Sequence, residues 1–164
     1  MIFVTVGTHE QQFNRLVEEI DKLIEKKIIK ETVFIQYGYS DYNIKNCESK
    51  DMISFDEMDK YVKEARIIIT HGGPGSIMLP FKYNKVPIVV PRQSQYGEHV
   101  DNHQVLFSKF LSEKNKIIMI EDISQLENII INYNDLTKNI CIEDNNNTEQ
   151  FTKRLEMVIN SIYE

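Results

Sequence analysis

Cysteine is scarce: Cys47 and Cys141 lie far apart and belong to no C-x-x-C or Cys/His cluster, which argues against a disulfide framework and a cysteine-based zinc site. Lysine and arginine form no cluster beyond Lys26-Lys27, and the net charge is -6, so the positive face needed to neutralise nucleic-acid phosphates is missing. No apolar run approaches the roughly 20 residues of a membrane span. Met1 leads directly into strand-like Ile2 to Val6 without a charged leader, so a cytoplasmic chain is expected. Neither G-x-G-x-x-G nor a Walker loop occurs, which argues against a dinucleotide enzyme and a nucleoside triphosphatase.

What is present reads as one globular domain over 1–164, with 41% apolar and 27% charged residues. Apolar strands are expected at Ile2–Val6, Thr32–Gln36, Met52–Phe55, Arg66–Thr70, Val86–Val90 and Ile117–Ile120. Helical spacing appears at Phe13, Leu16, Val17, Ile20, Leu23 and Ile24, and again at Met58, Tyr61, Val62 and Ala65, with Asp56 as the N-cap. Further helices are expected from the glycine loop to about Tyr83, over Val100, His103, Phe107, Phe110 and Leu111, and over Ile123–Ile131. Tyr39 to Ser49 reads as a mobile loop, Asn132–Thr148 as a polar surface loop, and 149–162 as a C-terminal helix. This alternation predicts a Rossmann-like α/β fold, a parallel sheet with helices on both faces.

Glycine is also sparse. All six, at positions 7, 38, 72, 73, 75 and 97, follow expected strands, and so do His9, His71, His99 and His103. Ligands of open α/β sheets bind at the carboxyl ends of the strands, so these residues should share a cleft. His71-Gly72-Gly73-Pro74-Gly75-Ser76, at a strand-to-helix turn, combines an imidazole, a hydroxyl and helix amides suited to a diphosphate. Gly7-Thr8-His9 forms a second, weaker loop of this type. Glu98-His99 and Asn102 sit among polar residues suited to recognising hydroxyl groups. His99 and His103 stand i, i+4 and could ligate a metal with Glu98 or Asp101, but spacing places no third ligand and His103 falls on the apolar face; no metal or cofactor is expected. Phe55, taken alone, reads as core.

G-T-H-E-Q-Q-F at Gly7 to Phe13, I-T-H-G-G-P-G-S at Ile69 to Ser76, and V-P-I-V-V-P-R-Q followed by G-E-H-V-D-N-H-Q up to Gln104 resemble the soluble subunit of bacterial two-component capsule and exopolysaccharide glycosyltransferases. The likeness is to the streptococcal-type β-1,4-galactosyltransferases and, more distantly, to the C-terminal half of the transferase that makes lipid II. It implies the C-terminal, donor-binding half of a GT-B enzyme. The substrate would be a UDP-sugar, UDP-galactose in the first instance, and a membrane-anchored Rossmann-type partner would present a lipid-diphosphate-linked acceptor at the inner face of the plasma membrane. Isolated chains are allowed to self-associate. Carried over by position, Gly7 and Thr8 hold the diphosphate with His71 to Ser76, Phe55 lines the uracil pocket, and Glu98, His99 and Asn102 read the sugar. His9 is the candidate base, unless the partner supplies it. One departure is Leu79, where relatives place a glutamate that holds the ribose hydroxyls. The alternatives are a non-catalytic partner-activating subunit, a UDP-N-acetylglucosamine transferase half, and a Rossmann module for another anionic metabolite.

Overall fold

The computed structural model describes residues 1–140 of the 164. Its strands are β1 (Ile2–Thr5), β2 (Val33–Gln36), β3 (Glu48–Lys50), β4 (Ile67–Thr70), β5 (Ile88–Val89) and β6 (Ile118–Met119). Its helices are α1 (Asn14–Glu25), α2 (Phe55–Glu64), α3 (Pro74–Phe81), α4 (His103–Glu113) and α5 (Leu126–Thr137). The strands pair in parallel in the order β3-β2-β1-β4-β5-β6. Every residue of β1, β2 and β4 is buried, as expected of β-branched and aromatic runs covered by helices on both faces.

Alternation along β1 divides the core. Ile2 and Val4 face a cluster with Leu16, Val17, Ile20 and Leu23 of α1 and Leu126, Ile130 and Tyr133 of α5. Phe3 points the other way, to Phe34, Ile68 and Val62, and its ring stacks on Tyr61 at 5.3 Å. Each fully buried aliphatic side chain of α1 contributes about 1.5–3 kcal/mol. The strand order reverses between β1 and β4, whose partners run from Ile2–Ile67 to Thr5–Thr70. A crevice therefore opens beyond Thr5 and Thr70, where the connections of two neighbouring strands diverge.

Three local expectations are corrected. The third strand is Glu48–Lys50 rather than Met52–Phe55; it is an exposed edge strand without apolar residues, so hydropathy does not mark it. The cap of α2 is Ser54 rather than Asp56, in a reciprocal capping box with Glu57 that the S-x-x-E spacing could have revealed. Helix α5 continues through Thr137 into the expected loop, because Tyr133 is buried and its hydroxyl donates to the Val86 carbonyl at 2.7 Å. The Tyr39–Ser49 segment is tied to α1: buried Asp21 accepts from Lys45 N, Asn46 N and the Tyr42 hydroxyl. The expected helix at 149–162, like the end of the polar loop, lies outside the described residues.

Candidate functional site

The first wall of the crevice is built by Gln36, which ends β2 as the polar residue of an otherwise apolar strand. Its side-chain amide donates to Gly7 O at 3.0 Å and Asp51 O at 2.8 Å, while its oxygen accepts from Thr5 Oγ1 at 2.6 Å and Gly7 N at 3.2 Å. Gly7, at φ +77°, thus has both backbone groups engaged inside the protein. Gly7 nevertheless lines the cleft with Thr8 and His71. Thr8, one residue on, is exposed to the cleft.

His71 forms the second wall. Its N–H donates to Thr5 O at 3.3 Å, and its ring lies between Gly7 and Gly73. A Cβ added at Gly7 would stand 2.5 Å from the ring, and one at Gly73 would stand 2.3 Å from Nε2. Gly72 is also spoken for: its N–H donates to Gln104 Oε1 at 3.1 Å, and a Cβ there would be 2.7 Å from Gln104 Cβ. Three of the glycines therefore make room for His71 and for α4. Gly75 differs, because a Cβ there meets nothing within 4 Å among the described residues. Burial, and next the nearby Arg92 charge, push His71 down to about 4, so its ring is neutral at pH 7.

Helix α3 starts at Gly73 without a side-chain cap, with Pro74 at the first helical position. The N–H groups of Gly75 and Ser76 fall in the first turn, ahead of any intrahelical acceptor, at the positive end of the helix dipole. They open onto a cleft of about 220 Å³ lined also by Thr8, His71 and Pro74. This cleft shares Met58, Gly75 and Ser76 with a larger, apolar one of about 520 Å³ lined by Phe55, Val62, Met78 and Leu79. Phe55 is 70% exposed, which corrects its reading as core.

Two substitutions separate these roles. Gly73→Ala is expected to destabilise the fold by about 1–3 kcal/mol through overpacking against His71. Gly75→Ala, inside a helix with open space, is expected to stabilise it by about 0.5–1 kcal/mol. Urea unfolding of both variants reads the difference, and equal losses would refute the assignment.

The expected sugar-reading residues are placed differently. Glu98 is fully buried; its two oxygens accept from Arg15 Nε at 2.8 Å and Nη2 at 2.9 Å, and Oε2 also accepts from Gln93 N at 2.9 Å. The Glu98 carboxylate is thus engaged by Arg15 and by the backbone of Gln93. Asn102 Oδ1 accepts from Ser94 N at 2.9 Å and Ser94 Oγ at 3.0 Å, which pins the 94–96 turn. His99 does reach the first loop, its ring stacking on His9 at 4.6 Å. Burial, and next the neighbouring His9, lower the pKa of His99. His103 is exposed at the start of α4 rather than on its apolar face; the buried positions are Gln104, Ser108 and Leu111.

Sequence reasoning missed Arg92, the largest fully buried side chain among the described residues. It donates to the carbonyls of Val6, Gln11, Gln12 and Glu98 at 2.8–3.1 Å and lies over the Phe13 ring at 4.9 Å. It thereby fastens the loop after β1 to the loop after β5. Its place in V-V-P-R, directly after a strand, is the signal that was available.

The family model of the glycosyltransferase family 28 C-terminal domain matches residues 1–162. Comparison with curated proteins gives no match. Among solved structures, the glycotransferase of kitacinnamycin is similar with a TM-score of 0.61 and 16% identity over 84% of this chain and 35% of that one. Glycosyltransferase SnogD from Streptomyces nogalater gives a TM-score of 0.47 and 15% identity over 85% and 39%. The chain thus spans little more than a third of these structures, and the first likeness shows a shared fold, one half of the GT-B architecture. No helix among the described residues is long and apolar enough to cross a membrane. With a family model that covers nearly its whole length, the chain belongs to glycosyltransferase family 28, as its C-terminal domain.

Proposed function

We propose that this chain is the donor-binding part of a two-part glycosyltransferase that moves a sugar, galactose from UDP-galactose in the first instance, to a lipid-diphosphate-linked acceptor in capsule or exopolysaccharide synthesis. The observation that carries the reading is the uncapped start of α3, where Gly75 and Ser76 face a cleft bordered by Thr8. Fixed N–H groups at a helix N-terminus stabilise charge that grows on a departing diphosphate without reorganising. The adjoining apolar cleft, with exposed Phe55, suits a uracil ring. Leu79 offers no acceptor to the ribose hydroxyls, so the ribose is held by other groups. His9 Nε2 bonds Gln11 Oε1 at 2.8 Å, which leaves the Nδ1 lone pair for the base role. A membrane-anchored Rossmann-type partner would supply the acceptor and bring the cytoplasmic chain to the inner face of the membrane.

Titration calorimetry of the full chain with UDP-galactose, UDP-N-acetylglucosamine and NAD tests this. Saturable binding of a UDP-sugar is expected, weakened about tenfold, or about 1.4 kcal/mol, by Gly75→Ala. Since that substitution is expected to raise stability, the loss reports ligand contact. Binding of NAD alone overturns the proposal. A second reading, a partner-activating subunit that no longer turns over, is favoured by Leu79 and predicts no donor binding.

A further inference from the structure

Spacing places two imidazoles together, and the fold adds a third ligand. His99 Nδ1 lies 3.2 Å from Asp101 Oδ1, His103 Nδ1 touches the same oxygen, and one ligand atom from each of the three side chains lies within 4.8 Å of the other two. A tetrahedral site with bonds of about 2.0–2.1 Å separates its ligand atoms by roughly 3.3 Å, so His99 and Asp101 already stand at that spacing. The His103 and Asp101 side chains are both more than half exposed and free to open by the small amount needed.

One carboxylate oxygen gathers both rings. Asp101 Oδ1 stands 3.2 Å from His99 Nδ1 and is hydrogen-bonded to His103 Nδ1, and it also accepts from the His103 N–H at 3.1 Å. His99 Nδ1 in turn lies 3.3 Å from the Asp101 N–H, which keeps that nitrogen turned toward Asp101. A cation shared by the three side chains would take the place of the protons between these atoms. The His99 ring stacks on His9, while His9 itself bonds Gln11 and lies outside the ligand set.

We propose that His99, Asp101 and His103 bind one divalent transition-metal ion. Two imidazoles and a carboxylate favour the zinc, cobalt and nickel class over magnesium or calcium, and three protein ligands leave a position for water or a substrate oxygen. The site lies against His9, at the edge of the candidate cleft. It stands independently of the donor reading, because metal binding is read without any nucleotide sugar.

The test is titration of the chelator-treated full chain with cobalt(II) at pH 7.5, followed by visible absorption and calorimetry. One equivalent of cobalt with a d–d absorption band is expected. His103→Ala and Asp101→Asn should each weaken binding at least tenfold, with unchanged thermal midpoints, since both positions are exposed and asparagine can still accept from the His103 N–H. His9→Ala should change affinity less than threefold. Absence of the band at one equivalent, or equal binding by wild type, His103→Ala and Asp101→Asn, overturns the proposal.

Discussion

Glu98→Ala is expected to cost about 3–5 kcal/mol of stability, the range for removing one partner of a buried ion pair. The variant deletes the carboxylate that both Arg15 and Arg92 face: Arg15 binds it through two nitrogens, and its charge counteracts the burial that pulls Arg92 down to about 10. Two guanidiniums would then remain in a partly dry environment, and Gln93 N would lose its acceptor. Thermal unfolding should fall by roughly 10 °C, at about 2–4 °C per kcal/mol for a chain of this size. Glu98→Gln keeps an acceptor for Gln93 N and should cost less. Paired replacement of Arg15 and Glu98 by methionine and leucine should recover part of the loss, since well-packed apolar residues often equal a buried pair. A loss below 1 kcal/mol in Glu98→Ala, accompanied by weakened discrimination between UDP and a UDP-sugar, would assign Glu98 to the cleft instead.

The second large effect is a pH dependence set by His71. Its folded pKa of about 4 lies below the ordinary 6.5, so the unfolded chain binds the proton more readily. The associated stability is fully present above pH 6.5 and is lost as the pH falls through about 4, at about 1.4 kcal/mol per unit and roughly 3 kcal/mol in total. His99 is lowered too and adds in the same direction. Urea unfolding of wild type and His71→Gln between pH 7 and 4.5 isolates the His71 part as a difference of slopes. Parallel slopes would show that the ring is solvated and titrates normally. The same neutrality bears on ligand chemistry: at pH 7 the ring can donate a hydrogen bond to a diphosphate but supplies no countercharge, whereas the α3 N-terminus is a fixed positive element of the cleft.

Much of the frame was legible because it is local. β-branched runs at Ile2–Thr5 and Ile67–Thr70, and the 3.6-residue spacing along α1, encode burial in neighbouring residues, and their loops had to lie at one end of the sheet. Strand β3 escaped because an exposed Glu-Ser-Lys edge pairs through its backbone alone. Around α4, the apolar spacing favoured Val100, ahead of the helix, and Phe110 on it, yet both are exposed, while Gln104 turns inward to accept from Gly72 N and Arg92 N. A polar contact across the fold overrode the hydrophobic pattern there.

By itself, then, the sequence determined the α/β class, the succession of elements and the gathering of glycines and histidines at the carboxyl ends of the strands. These follow from periodicity and turn chemistry within a few residues. Only the tertiary structure decided which residues face the cleft. Arg15 and Glu98, 83 positions apart, pair with one another, a contact that no local pattern announces. Gly7 and Gly73 make room for a histidine ring, whereas Gly75 and Ser76 stay open toward the cleft. Such outcomes depend on which distant groups satisfy each buried charge and each volume, and that information exists only once the chain has closed on itself.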